Sequence, residues 1–334
     1  MIGNTYRKLI AVVGPTASGK TGIGVQLAKD FNGEIVSADS RQVYRGLDIG
    51  TGKDLEEYDG IKYHLIDVVD PGEKFALFDY LLLARTAIED IFSRGKVPII
   101  VGGTGLYVQA LTQGFVLERN QNAKIKMQNY SGHSVLGLYK RDQLNNKSVE
   151  ELQDILQELD IKAYEILADP KNPHRLIRAI EKVQEGLKPT KTKPDFEVLQ
   201  IGITWPREEL YDRIDKRVDS RFEQGMLSEV ENLLKAGVGS EWLLNLGLEY
   251  KIMASFLISN SKFLITNENE KLETKELIKN WKLEIKNYDE MRQVLKYKIH
   301  QFAKRQSTWF RRFSEIVWEN DYEKIKKKVE KFLN

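Results

Sequence analysis

The sequence predicts an α/β fold: a parallel-sheet core built around a phosphate loop and interrupted by a helical insertion. Three observations carry this. An apolar run at residues 9–13 leads into the octet GPTASGKT, which opens a helical pattern. Strand-like and helix-like segments then alternate up to residue 114, the βαβ rhythm of a sheet covered on both faces. That rhythm stops over 115–195 and resumes with a strand at 198–203. The expected organisation is a core of residues 1–114 and 196–334, holding a helical insertion at 115–195.

The first helix is expected over 20–31, the second strand over 34–39, and a helix over 79–94. That helix puts Leu81, Ala84, Ile88 and Ile91 on one side. A buried strand at 97–101 ends in Gly102-Gly103. In the insertion, 121–146 is polar and shows no clear element, and no strand is expected. Helices are expected over 148–159 and 172–187, the second opened by Asn172 as cap and Pro173 as first residue. After the returning strand come one long helix at 207–235, a basic helical stretch at 273–312 and a last strand at 315–318. There is no internal repeat and no low-complexity linker.

Composition narrows the class. The 334 residues include no cysteine, which excludes disulfides and cysteine-based zinc sites. The four histidines show no metal-ligand spacing. No apolar run approaches the roughly 20 residues of a membrane span, and residues 1–8 lack the apolar core of a signal peptide. A cytoplasmic enzyme is expected. The net charge is only +2, but basic runs occupy 296–312 and then Lys324, Lys326, Lys327 and Lys328. Such stripes serve either as a solvated helix face or as a nucleic-acid contact.

The octet Gly14, Pro15, Thr16, Ala17, Ser18, Gly19, Lys20 and Thr21 has the spacing of a phosphate cradle, so the core is read as P-loop NTPase-like. Gly14 and Gly19 let the backbone curl so that its N–H groups point inward. The helix beginning at Lys20 adds its positive dipole end. Lys20 supplies a mobile charge, and the Thr21 hydroxyl is a magnesium ligand candidate. The loop alone specifies phosphate, not the reaction.

Its companions lie at other strand ends, which in a parallel sheet line the same crevice. Asp39, in SADSRQVY, either caps the turn after its strand or acts on the bound phosphates and their acceptor, as a metal contact or a proton acceptor. Thr104, in VGGTGLY, caps the next helix or donates to a phosphate or bridging oxygen. On the helix at 207–235, Leu210 and Ile214 are continued by Arg217 and Arg221 in one row. Arginine on such a face wants a carboxylate or a phosphate. Arg217 is the candidate for neutralising charge on a departing phosphate group.

Taken together, GPTASGKT, SADSRQVYRGLDIGTGK, YHLID, VGGTGLY, RLIRAIEKV, RIDKRVD and FAKRQSTWFRR resemble one family in kind and order: the bacterial tRNA dimethylallyltransferases, or tRNA isopentenyltransferases. The resemblance implies that the loop holds dimethylallyl diphosphate. It implies that the acceptor is the exocyclic N6 amine of the adenosine 3′-adjacent to the anticodon of a tRNA. Mg2+ would assist, Asp39 would take the amine proton, and Thr104 and Arg217 would act on the leaving diphosphate. The implied tRNA contacts, with the anticodon stem-loop, are Asp39, Ser40, Arg41, Gln42, His174, Arg175, Arg178, Arg305 and Gln306. Trp309 and Phe310 either stack on a base or pack in the core. A monomer is expected. The chain departs from the family pattern at Gly52-Lys53-Asp54, at His174 and at 246–250, and matches it poorly over 117–147. An ATP-dependent P-loop kinase and a transferase acting on free adenine nucleotide stand as alternatives, as does an RNA-binding ATPase module that is not a transferase.

Overall fold

The computed structural model describes residues 7–116, 139–167, 169–184, 190–191, 194, 196–260 and 285–334. The chain forms two compact units, one of Met1–Gln113 with Pro194–Asn334 and one of Gly114–Lys193. In the larger unit the first elements are β1 (Arg7–Val13), α1 (Lys20–Asp30), β2 (Gly33–Ser37), β3 (Tyr63–His64), α2 (Leu77–Ser93), β4 (Val97–Gly102) and α3 (Gly105–Thr112). Leu9 to Val13 have no exposed surface. A strand covered on both faces needs such an unbroken apolar run.

The smaller unit contains β5 (Phe115–Val116), α4 (Arg141–Asn145), α5 (Val149–Leu159), α6 (Ile161–Glu165), α7 (Pro173–Gln184) and β6 (Thr190–Lys191). Ser148 and Glu151 cap α5 reciprocally: the Ser148 hydroxyl accepts from the Glu151 N–H, and the Glu151 carboxylate accepts from the Ser148 N–H. Asn172 Oδ1 accepts from Arg175 N–H at the start of α7. Leu144, Leu152, Leu156, Leu176, Ile177 and Ile180 fill the core between these helices. The antiparallel pair β5–β6 sits where the sequence predicts no strand. Two residues a side are too few to show an alternating pattern. The polar stretch 121–138 and the helical expectation for 185–187 lie outside the described residues.

The chain returns to the larger unit with β7 (Phe196–Gly202), α8 (Arg207–Glu223), α9 (Met226–Lys235), α10 (Ser240–Leu246), α11 (Leu248–Ser259), α12 (Tyr288–Phe310), β8 (Ile316–Trp318) and α13 (Tyr322–Leu333). Six strands form one parallel sheet in the order β3-β2-β4-β1-β7-β8. The single helix expected over 207–235 is two, because Gly225 turns the backbone to φ +97° between them. Of the helical stretch expected from residue 273, 273–284 lies outside the described residues and α12 begins at Tyr288. The late lysines belong to an amphipathic helix. Asp321 caps α13, and Ile325 and Val329 bury against the sheet, while Lys324, Lys327 and Lys328 are exposed and Lys326 pairs with Asp30 at 2.8 Å.

The amino edge of the sheet is held by one buried acid. Glu34 on β2 is 1% exposed and is gripped by both Arg94 guanidinium nitrogens, by His64 Nε2 at 2.8 Å and by Lys96 Nζ at 3.0 Å. The hydrogen bonds from Arg94 hold its carboxyl well below the usual carboxylate range. Removing one partner of a buried charge cluster is costly because the other charges lose their counterion. Glu34→Gln is expected to cost about 3 kcal/mol near neutral pH, read from urea unfolding midpoints. Because the folded-state pKa is depressed, this contribution is complete above the ordinary value of 4.5. It is lost as the pH falls through the folded-state value, so the gap between the two proteins should close in acid.

Candidate active site

The carboxyl ends of β1, β2, β4 and β7 lie along one edge of the sheet, and each delivers a segment of the site. The segment after β1 is the candidate phosphate loop, Gly14 to Gly19. Gly19 caps α1 with φ +86°, and Ala17 takes a left-handed φ of +60°, a strained conformation for a residue with a Cβ. Three side chains brace the loop through its carbonyls. Lys20 Nζ donates to the Pro15 carbonyl at 3.2 Å, Arg213 Nε to the Ala17 carbonyl at 3.0 Å, and Trp205 Nε1 to the Ser18 carbonyl at 2.9 Å. Arg213 also lies over the Trp205 ring, 4.7 Å from its centroid. With these three carbonyls bonded, the N–H groups from Ala17 into the first turn of α1 are the groups this loop could offer an anion.

Cations gather at this loop. Lys20 is pushed down to about 8, by desolvation first and by Arg217 next. Arg217 reaches Thr16 Oγ1 at 3.4 Å and pairs with Asp54 at 3.5 Å. Arg221, one turn further along α8, is 8% exposed and sits 3.6 Å from the same carboxylate. Burial and the neighbouring Arg217 push it down to about 10. The half-buried Lys20 ammonium, beside two guanidiniums that share one carboxylate, favours an incoming polyanion. Arg217 makes the carboxylate pair of its structural reading, with Asp54, and the same side chain lies against Thr16 of the loop after β1.

The loop after β2 forms the facing wall. The Glu229 carboxylate on α9 accepts from the N–H groups of Asp48 and Ile49 at 2.7 Å and of Gly50 at 3.1 Å, and Tyr250 donates to it. Lys53 is buried and bonded to the Tyr44 carbonyl, to Asp48 and to Asp67. These anchors press Gly52, at φ +63°, against the arginines. A Cβ there would lie 1.5 Å from Arg221 Nη2 and 2.1 Å from Arg217 Nη2. Gly52→Ala should therefore displace both guanidiniums. The expected result is a roughly tenfold or larger fall in turnover, with thermal stability lowered by only the ~1 kcal/mol of left-handed strain. Steady-state rates and melting curves on one preparation check both halves.

Asp39 and Thr104 come from adjacent strands and meet across Ser40. Thr104 Oγ1 accepts from Ser40 N–H at 3.0 Å and lies 3.4 Å from Ser40 Oγ. Thr104 precedes α3 but makes no side-chain cap to it. Asp39 Oδ1 accepts from Arg41 N–H at 2.9 Å, so it does cap its own turn. Asp39 also lies within electrostatic reach of Lys20.

Other sequence candidates are distributed as follows. Arg305 is exposed on α12. His174, Arg175 and Arg178 are exposed on α7, in the smaller unit, with Leu176 and Ile180 buried on its other side. Arg41 packs on the backbone of Gly247, where a Cβ would lie 2.6 Å from its Nε. Gln42 and Gln306, implied by the resemblance to face RNA, have both ends of their amides committed inside the protein. Gln42 accepts from Ser37 Oγ and donates to the Gly52 carbonyl, each at 2.9 Å. Gln306 accepts from Thr16 N–H and donates to the Gly103 carbonyl, each at 2.9 Å. Phe310 is buried in the core, and the half-buried Trp309 lies against Gly105. Trp205, Arg213, Glu229 and Gln306 are contributors that the sequence reading missed as loop supports. Only Arg213 left a signal, as the preceding step of the row Arg213, Arg217, Arg221.

Residues 42–313 match the IPP transferase family model, and residues 7–63 match that of isopentenyl transferase. The chain belongs to the IPP transferase family. It is 41% identical over 310 residues to a tRNA dimethylallyltransferase 2 of Shewanella sediminis, covering 92% of this chain and 90% of the relative. Among solved structures it resembles the tRNA isopentenylpyrophosphate transferase of Bacillus halodurans, with TM-score 0.62, 35% identity, and 98% and 97% of the two chains covered. It also resembles a eukaryotic dimethylallyltransferase described as acting on tRNA, with TM-score 0.67, 27% identity, and coverage of 91% of this chain and 69% of that one. Within the first match fall the loop after β2 from Gln42 on, Thr104, α8 and α12, and within the second the loop after β1 and Asp39.

Proposed function

We propose that this IPP transferase moves the dimethylallyl group of dimethylallyl diphosphate to the N6 amine of the adenosine 3′-adjacent to the anticodon in tRNA, releasing diphosphate. The observation that carries the reading is the pairing of two chemistries at one sheet edge. An amide cradle flanked by Lys20 and Arg217 takes the leaving group. A carboxylate, Asp39, held beside Thr104 through Ser40, takes the proton.

The chemistry balances with these groups. The bond between the allylic carbon and the bridging oxygen breaks, and its electron pair goes to diphosphate. The loop amides, Lys20 and Arg217 meet the growing negative charge. Thr104 donates its hydroxyl proton toward the bridging oxygen. The adenine amine is a weak nucleophile because its lone pair is delocalised into the ring. As its nitrogen bonds to the allylic carbon its protons become acidic, and one passes to Asp39. The adenine must leave its stack to reach the site, at a cost of a few kcal/mol. Contacts of the exposed cations Arg175, Arg178 and Arg305, with His174, Ser40 and Arg41, to the anticodon stem-loop would offset that cost. The helical insertion supplies the first two of these arginines.

Oxygen donors at the cradle fit magnesium: the Thr21 hydroxyl in the first turn of α1 and the Asp39 carboxylate. Among the described residues no group of three or more His, Cys, Asp or Glu could hold a metal. The ion would therefore be held jointly with diphosphate, whose charge it neutralises when bound. Among the described residues no helix is long and apolar enough to cross a membrane. A tRNA substrate implies the cytoplasm, and a site drawn from one chain is consistent with a monomer.

The test is nucleoside mass analysis of unmodified tRNA after incubation with dimethylallyl diphosphate. A five-carbon addition on one adenosine beside the anticodon is expected. Addition to free adenosine monophosphate with tRNA untouched would favour the nucleotide-directed alternative.

A further inference from the structure

We propose that Gln306 is a positioning residue for the leaving group: it holds Thr16, and through Thr16 it aims Arg217. The proposal rests on the reading of Arg217 given above. Gln306 is 8% exposed on the inner side of α12, between Phe302 and Phe310 at helical spacing. Its carbonyl oxygen takes the Thr16 N–H and its amide nitrogen meets the Gly103 carbonyl. It thus pins the phosphate loop to the loop after β4 with a single amide. Thr16 then offers its hydroxyl oxygen to Arg217 Nη1. The route from α12 to the guanidinium is Gln306 to Thr16 backbone to Thr16 side chain, with no gap.

Two consequences follow from the donor count. The Thr16 N–H is spent on Gln306, so the cradle begins at Ala17. A glutamine suits this place because its one amide supplies the acceptor that the Thr16 N–H needs and the donor that the Gly103 carbonyl needs. Space enforces the same pairing: a Cβ on Gly103 would lie 2.6 Å from Gln306 Nε2. The neighbouring Arg305 is exposed, so the two adjacent residues divide between solvent and loop.

The experiment is a double-mutant cycle on the full chain. Gln306→Met keeps length and volume and loses both hydrogen bonds. Gly103→Ala shifts the amide without removing it. Each variant is expected to weaken inorganic pyrophosphate binding about tenfold and to lower kcat, with tRNA affinity within twofold and the melting temperature close to that of the parent. In the Arg217→Ala background the kcat cost of Gln306→Met should largely vanish, because residues acting through one another are not additive. Three results would overturn the proposal. Weakened tRNA binding with unchanged pyrophosphate binding would make Gln306 an RNA contact. Additive kcat losses would break the route through Thr16. Losses that track the melting temperature would reduce the residue to a packing role. If the unmutated protein binds no pyrophosphate, the reading of the site itself fails, and this shows before any variant is made.

Discussion

Asp39→Ala is expected to lower the rate of prenyl transfer by about 10³-fold, within the range that general bases supply. The affinity for tRNA should stay within a few-fold. Two functions of this side chain must be separated, since Asp39 also accepts from Arg41 N–H and so shapes its turn. Asp39→Asn separates them: an amide oxygen still accepts from Arg41 but cannot take a proton from the adenine amine. The account therefore expects the asparagine variant to be nearly as inactive as alanine, while its melting temperature stays at the parental value. An active asparagine variant would confine Asp39 to the turn. Single-turnover rates with saturating tRNA read the chemical step without interference from product release.

Arg217→Ala is expected to lower kcat by about 10²-fold or more, the scale seen when one preorganised donor to a developing anion is removed. Arg217 is partly exposed and shares Asp54 with Arg221. Its ion pair is therefore worth little for stability, and the variant should fold normally. The effect belongs in kcat more than in the Michaelis constant for the prenyl donor, because the charge it answers grows as the C–O bond breaks. Arg217→Lys keeps the charge but not the planar fork, and should recover only part of the loss. Unchanged turnover would reassign the residue to bracing Gly52 and Thr16.

Much of the core was legible because its signals are local. The run Leu9 to Val13 has no alternation and is buried on both faces, and the glycine-rich octet after it marks the turn from β1 into α1. Asn172 announced helix α7 through capping chemistry that is readable within four residues, and Ser148, where helix α5 was expected to begin, caps it in the same way. Signals were lost where they were short, ambiguous or distant. Gly225 was present in the sequence, but the amphipathic pattern on both sides of it reads as continuous. In α13 the lysines drew the eye, although Ile325 and Val329 at i, i+4 were the structural statement.

The site followed the same rule. Asp39, Thr104 and Arg217 stand in motifs or in a readable row. Their supports do not, because each bond is long-range: Trp205 to Ser18, Arg213 to Ala17, and Gln306 to Thr16 lie 187, 196 and 290 residues apart. No local pattern encodes such pairs. The two glutamines show the limit from the other side. Resemblance pointed Gln42 and Gln306 toward RNA, and nothing local announced that each amide also ties parts of the core together, Ser37 to Gly52 through Gln42 and Thr16 to Gly103 through Gln306.

The account turns on what the cradle at Gly14–Thr21 holds. Equilibrium binding of dimethylallyl diphosphate and of ATP to the same preparation, repeated on Lys20→Ala, tests this directly. Saturable binding of the prenyl donor that pyrophosphate displaces and Lys20→Ala abolishes, with no turnover of ATP, is the predicted result. Tight binding and hydrolysis of ATP that the prenyl donor does not compete for would contradict it.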